Sequence, residues 1–222
     1  ALDSALDLWS NFEYCNGSIE KTGNCAAGDQ FKQAEKRKAF GFGLSEARYH
    51  QLSLLNSKYE SAFTFGVDGR SDHIFPVGLY KTTRRAVTET VREDAVTQSS
   101  VSLWAQNEIR WTSTIRSIVG ARADAYQFDV KSNLAANSGK ASDQKVSPKL
   151  SLIFGPLGTT EFYANYGAGF HSNDARGTTI SVDPLDRTTP VSRVDPLVKA
   201  IGSELGMRTE IVKGWNSNLA LW

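Results

Sequence analysis

The chain has 222 residues, a formal net charge of +1, and a composition of 40% hydrophobic and 22% charged residues. Those proportions exclude a disordered segment or a collagen-like repeat. Lys and Arg are scattered without the basic stripe that nucleic-acid binding needs, so no nucleic-acid partner is expected. No apolar stretch approaches the roughly 20 residues of a membrane helix.

In chain order, the first landmark is a pair of cysteines, Cys15 and Cys25, bracketing a Gly-, Asn- and Ala-rich stretch. A disulfide closing this loop would suit an oxidising, cell-surface setting, and two free thiols are the alternative. Gly41 and Gly43 lie between aromatic residues in an alternating run and read as strand glycines, because no helix follows to form a phosphate loop. Tyr59, Phe63, Phe65 and Val67 then alternate with Lys58, Glu60, Thr64 and Asp68.

From Val101 the period-two pattern of a strand is clean. Val101, Leu103, Ala105, Ile109 and Trp111 share one face, with Ser102, Gln106, Glu108 and Arg110 on the other. Ile115, Val119, Ala121, Ala123 and Ala125 alternate with Arg116, Arg122 and Asp124 in one long run over residues 114–130. Val146, Pro148, Leu150, Leu152 and Phe154 alternate with Ser147, Lys149 and Ser151, and Leu197, Ile201, Leu205, Met207 and Ile211 with Gly202, Glu204, Arg208 and Glu210. No stretch sustains a helical period, so the chain reads as all-β.

The connections alternate in length. Tight turns are expected at Trp111-Thr112-Ser113, at Gly155-Pro156-Leu157-Gly158 and at Val212-Lys213-Gly214. Between them lie long polar stretches, residues 129–145 and 171–196. Short turns at one end and long loops at the other are the rhythm of an outer-membrane β-barrel, whose strands show lipid only every second residue. Trp111, Phe128, Phe154, Phe162 and Trp215 stand near strand ends, where interfacial aromatic girdles form. Alternation alone also fits a soluble sandwich. In that fold Ile115, Val119, Leu150 and Leu205 would meet in a dry centre.

Ser147-Pro148-Lys149-Leu150-Ser151-Leu152 leads through the Gly155-Pro156 turn to Thr160-Glu161-Phe162-Tyr163 and on into Gly167-Ala168-Gly169-Phe170-His171-Ser172-Asn173-Asp174-Ala175-Arg176-Gly177. This closely resembles the barrel of TonB-dependent outer-membrane receptors. Gly120-Ala121-Arg122-Ala123-Asp124, Gly202-Ser203-Glu204-Leu205-Gly206-Met207-Arg208, Gly66-Val67-Asp68-Gly69-Arg70 and Asn218-Leu219-Ala220-Leu221-Trp222 are similar to the same family, in the same order.

The resemblance implies an antiparallel transmembrane barrel of roughly 22 strands with a plugged lumen, set in the bacterial outer membrane. Residues 1–222 would supply about nine or ten of them, an incomplete barrel. A plug, a TonB-contacting segment and a closing C-terminal strand are not recognisable in these residues. With Ala1 at the start, Met207 as the single methionine and Trp222 inside an alternating run, an internal piece of a longer protein is expected.

The function implied is TonB-dependent active uptake of a nutrient such as a metal chelate, vitamin or oligosaccharide. The implied partners are that ligand, the TonB complex acting through the plug, and outer-membrane lipid. The ligand surface would be the upper lumen and loops, including His171, Asn173, Asp174 and Arg176. The alternative for that stretch is a structural strand-to-loop transition in which Asp174 and Arg176 form an internal pair. Arg122, Asp124, Glu204 and Arg208 are expected to face the lumen.

No cofactor, metal site or catalytic role is expected. His50, His73 and His171 are far apart and lack ligand spacing with the cysteines. His171 and Ser172 are merely adjacent, which does not make a triad. A soluble β-rich ligand-binding module and a passive porin are the rival functions.

Overall fold

The computed structural model describes residues 2–10, 28–54 and 56–222; Cys15 and Cys25, and the disulfide expected between them, lie outside these. Among the described residues, nine strands form one antiparallel sheet in sequence order, each bonded to the next. They are β1 (Leu2–Trp9), β2 (Gln30–Leu54), β3 (Ser57–Thr83), β4 (Ala86–Arg110), β5 (Ile115–Ser132), β6 (Gly139–Leu157), β7 (Thr160–Ser172), β8 (Leu197–Val212) and β9 (Trp215–Leu221). Consecutive pairing is what hairpins with short connections produce, and it continues the wall of a barrel.

Among the described residues no second sheet covers the apolar face. Ile115, Val119, Leu150 and Leu205 keep 36%, 52%, 47% and 63% of their surface exposed, so the dry centre of a sandwich does not exist. A soluble domain would not leave a contiguous apolar face of this extent open to water.

The apolar face also has a slope. One cross-strand row reads Leu44, Val67, Leu103, Ala123 and Val146 across β2 to β6 and is apolar throughout. A lower row runs His50, Ser61, Ile109, Ser117, Leu152, Ala164, Leu205 and Leu221 across β2 to β9 and becomes continuously apolar only from Leu152 onward. The apolar band therefore descends across the hydrogen-bonded rows from β2 to β9. Strands tilted about 35–45° to a bilayer normal give this pattern, since the rows then cut the membrane obliquely.

Above the band the alternation changes sides. Ile74, Val77, Val96, Phe128 and Val130 are buried on the opposite face, in a cluster with Ala175 and Leu197. At that height the first face carries polar residues instead, such as Asp129, whose carboxylate pairs with Lys140 at 3.4 Å. Beyond the hydrocarbon the outer face meets water and grease moves inward.

This reversal corrects two expectations. Residues 129–145 are not a long loop, because β5 and β6 stay paired up to Val130 and Gly139 and leave only residues 133–138 as connection. Phe128, 1% exposed, is an inner core residue and not a girdle aromatic. Trp111 does stand at a strand end, stacked edge-on against Tyr59 at 5.0 Å and donating from its indole to Ser117 Oγ at 2.8 Å.

The tight turns fall where expected, with β6 running on to Leu157 through a bulge after Phe154. One was unexpected: β3 and β4 extend far past the band and join through Arg84 and Arg85, both left-handed at φ 51° and 66°. Two successive left-handed residues make the hairpin turn that matches strand twist. Strand prolongation does here what a long loop does elsewhere.

Candidate functional site

The β7–β8 connection, residues 173–196, folds back over the inner face, and its one short helix, α1 (Ala175–Thr179), buries Ala175, Thr178 and Thr179. Asn137, at the end of a single 3-10 turn between β5 and β6, clamps it in place. The Asn137 side chain is fully buried; its Oδ1 accepts from the N–H of Ser181 at 2.9 Å and Val182 at 3.0 Å, and its Nδ2 donates to the Val182 carbonyl at 3.0 Å. Thr179 Oγ1 adds a bond to the Asn137 carbonyl at 2.9 Å.

Beside α1 lies a recess of about 440 Å³, with Glu35 and Arg37 from β2, Arg70 and Asp72 from β3, Tyr126 from β5 and Arg176 from α1 among its lining residues. Its charges are paired. Arg70 grips Asp72 through Nε at 2.7 Å and Nη2 at 2.9 Å, Arg37 approaches the same carboxylate at 3.5 Å, and Arg37 Nε holds Glu35 at 2.8 Å. Asp72 is buried, and two guanidinium groups compensate the desolvation of its charge.

Lower on the same face, Arg122 bridges Asp68 at 2.7 Å and Asp124 at 2.9 Å and also donates to Ser102. Nearer the tight turns, Glu161 sits between Arg116 at 3.1 Å and Arg208. Glu204 lies 3.4 Å from the Asn165 amide. Strand alternation thus places Arg122, Asp124, Glu204 and Arg208 on the face opposite the apolar band, where Arg122 with Asp124 and Arg208 with Glu161 join networks assembled from several strands. Aromatic residues cross this face over strand glycines: Trp104 lies where a Cβ on Gly66 would be, 2.7 Å away.

The four loop candidates separate. Asn173 closes the loop, donating from Nδ2 to the Asp195 carbonyl at 2.7 Å and from its N–H to the Pro196 carbonyl at 2.9 Å. Asp174 caps α1 by accepting from the Arg176 N–H at 2.9 Å, and its carboxylate is held by the Arg176 guanidinium at 2.6 Å. Burial pushes the Asp174 carboxyl up, but the bonds from Arg176 outweigh it and hold the group below its ordinary value. Arg176 lines the recess; His171 is exposed on β7 and does not. Asn173, Asp174 and Arg176 thus combine the contacts of a strand-to-loop transition with a place on the recess wall, and His171 alone of the four does not reach it. Glu35, Arg37, Gln98 and Asn137 were not singled out from sequence, since isolated polar residues in strands and short loops carry no motif.

A single tilted sheet, apolar outside and charge-paired inside, defines part of the wall of a transmembrane β-barrel. The family model described as TonB dependent receptor-like, beta-barrel, matches residues 3–222, and the chain belongs to that family of the bacterial outer membrane. A search of curated protein sequences returns no match.

Among solved structures, the chain is similar to the alcaligin outer membrane receptor FauA from Bordetella pertussis, with 17% identity and a TM-score of 0.52 over 86% of this chain and 29% of that one. It is also similar to the copper transporter OprC (13% identity, TM-score 0.56, 82% of this chain and 29% of that one). The ferric citrate transporter FecA gives 15% identity and a TM-score of 0.54 over 81% of this chain and 26% of that one. At these identities the likeness is one of fold, and the chain spans under a third of each of those proteins.

Proposed function

We propose that this chain is part of the barrel wall of a receptor that takes up a nutrient actively, driven by TonB, with the remaining strands, the closing strand and a lumen-filling plug supplied by the rest of the protein. The supporting observation is the inner face. Its charges are gathered and paired around a recess into which residues 173–196 fold, on a wall whose outer face suits lipid. A metal chelate, a vitamin or an oligosaccharide are the ligand types we propose, and the recess residues Arg37, Arg70, Tyr126 and Arg176 are the part of this chain we assign to ligand contact. His171, exposed at the end of β7, is proposed as a more distant loop contact.

The test uses the full-length receptor in its own outer membrane. Growth on single nutrient sources, with and without the gene, identifies the ligand; labelled uptake of that ligand is then compared in cells with and without TonB. We expect uptake to stop without TonB, and Arg70→Ala with Arg176→Ala to weaken ligand binding at least tenfold in the correctly inserted receptor. Uptake that continues unchanged without TonB would replace this reading with that of a passive porin.

A further inference from the structure

In the recess beside α1 every charge is already matched, and the hydrogen-bonding groups left without partners are neutral. Its lining holds three guanidinium groups and three carboxylates: Arg37 with Glu35 at 2.8 Å, Arg70 with Asp72 at 2.7 Å and Arg176 with Asp174 at 2.6 Å. Among the described residues no other charged side chain lines it. The Gln98 amide, the Ser100 hydroxyl and the Tyr126 hydroxyl also line it, and none of them bonds to another described residue. The Tyr126 ring is held between Phe128 at 6.1 Å and Phe170, edge-on at 5.7 Å, so its hydroxyl is presented at a defined place.

This distribution discriminates between ligand chemistries. A carboxylate or phosphate only accepts hydrogen bonds. To bind here it has to draw a guanidinium off its carboxylate, which for Asp72 leaves a buried charge without its partner. An ammonium group meets the same obstacle with the signs reversed. A hydroxyl donates and accepts through one oxygen. It accepts from the guanidinium and donates to the carboxylate of one pair, and the pair stays closed. An amide carries its donor and acceptor on different atoms, so no single atom of it serves both members of a close pair.

We propose that the recess is a charge filter: it takes an uncharged, hydroxyl-rich ligand such as a neutral sugar and turns away charged groups of the same size. Ligand hydroxyls bridge the three ion pairs, and Gln98, Ser100 and Tyr126 supply the remaining bonds. The inference rests on the assignment of this recess to ligand contact, and it narrows the ligand to the oligosaccharide type.

The test is calorimetric titration of the purified full-length receptor in neutral detergent with maltohexaose, cellohexaose and xylohexaose, and with the hexamer of galacturonic acid as the anionic counterpart. Heat-modified gel mobility checks that each variant is folded. At least one neutral hexamer is expected to bind, and the galacturonate hexamer roughly a hundredfold more weakly, as separating a buried ion pair dictates. Molar salt leaves the neutral binding unchanged, because the ligand has no charge to screen. Gln98→Ala with Ser100→Ala, which removes no member of an ion pair, is expected to weaken binding about tenfold through two lost neutral hydrogen bonds. Tyr126→Phe should cost about threefold for one such bond and serves where the double variant does not fold. No binding of any neutral hexamer, a galacturonate hexamer that binds as tightly, loss of binding in molar salt, or unchanged affinity in the folded variants would each overturn the proposal. Uptake that persists without TonB would instead remove the active-transport reading and leave the filter standing.

Discussion

On the outer face Val119, Leu150 and Leu205 need no particular partner, because any apolar side chain of similar size meets acyl chains equally well. On the inner face Arg122 is matched to Asp68 and Asp124, and Glu161 to Arg116 and Arg208, each match between residues of defined position. The outer face is thus specified by chemical type and the inner face by identity. A substitution that keeps polarity should be silent outside and costly inside, while a charge should be tolerated inside only with its partner.

The largest expected effect breaks the outer rule. Val119→Arg, near the middle of the β5 band, should destabilise insertion by about 2–4 kcal/mol, while Val119→Leu changes it little. Reversible folding of the full-length receptor into bilayers, followed by tryptophan fluorescence, reads both. Equal stability of the two variants would mean this face does not meet hydrocarbon.

Next is Asn137→Ala on the inner side, which orphans the N–H groups of Ser181 and Val182 and the Val182 carbonyl. About 2–4 kcal/mol of local protection should be lost over residues 173–196, seen as faster amide exchange there and unchanged exchange in the strands.

Glu161→Gln is smaller. It leaves Arg116 and Arg208 facing one another without a carboxylate, but the site is partly hydrated, so about 1–2 kcal/mol is expected in the same folding assay. Pairing it with Arg208→Gln should recover part of that loss, which a purely steric effect would not.

The smallest effect concerns pH. In the loop the Thr189 hydroxyl, then the N–H groups of Thr188 and Thr189, draw the exposed Asp186 carboxyl down to about 2. A depressed carboxylate contributes above its ordinary value near 3.9 and loses that contribution as pH falls through about 2. A carboxyl-carbon NMR titration of Asp186 should find the low midpoint, and Thr189→Val should move it back toward the ordinary one.

Much of this architecture was legible without coordinates. The band parts of β3, β4, β5, β6 and β8 announced themselves through period-two alternation, β7 through the family resemblance, and two of the three expected tight turns through Gly or Pro. The upper parts of β4 and β6 did not, because above the bilayer the apolar residues change sides, as Val96 does relative to Val101; β5 was read almost to its end, but Phe128 and Val130 were not recognised as inward-facing. The Arg84–Arg85 turn was illegible for a different reason, since neither residue is a usual left-handed one. Of the candidate site, Asp174 and Arg176 were read correctly as a possible internal pair. Asn137 offered no signal, because its importance comes from a segment more than forty residues away.

What the sequence by itself determined is which side of each membrane-level strand faces lipid. That is a local property: successive residues point to opposite faces, and hydrocarbon admits only one kind. What only the tertiary structure decided is which charges meet on the other side. Asp68 reaches Arg122 across 54 positions and Arg116 reaches Glu161 across 45. Such meetings depend on stagger between strands, on bulges and on a loop folded inward, none of which a two-residue period can encode.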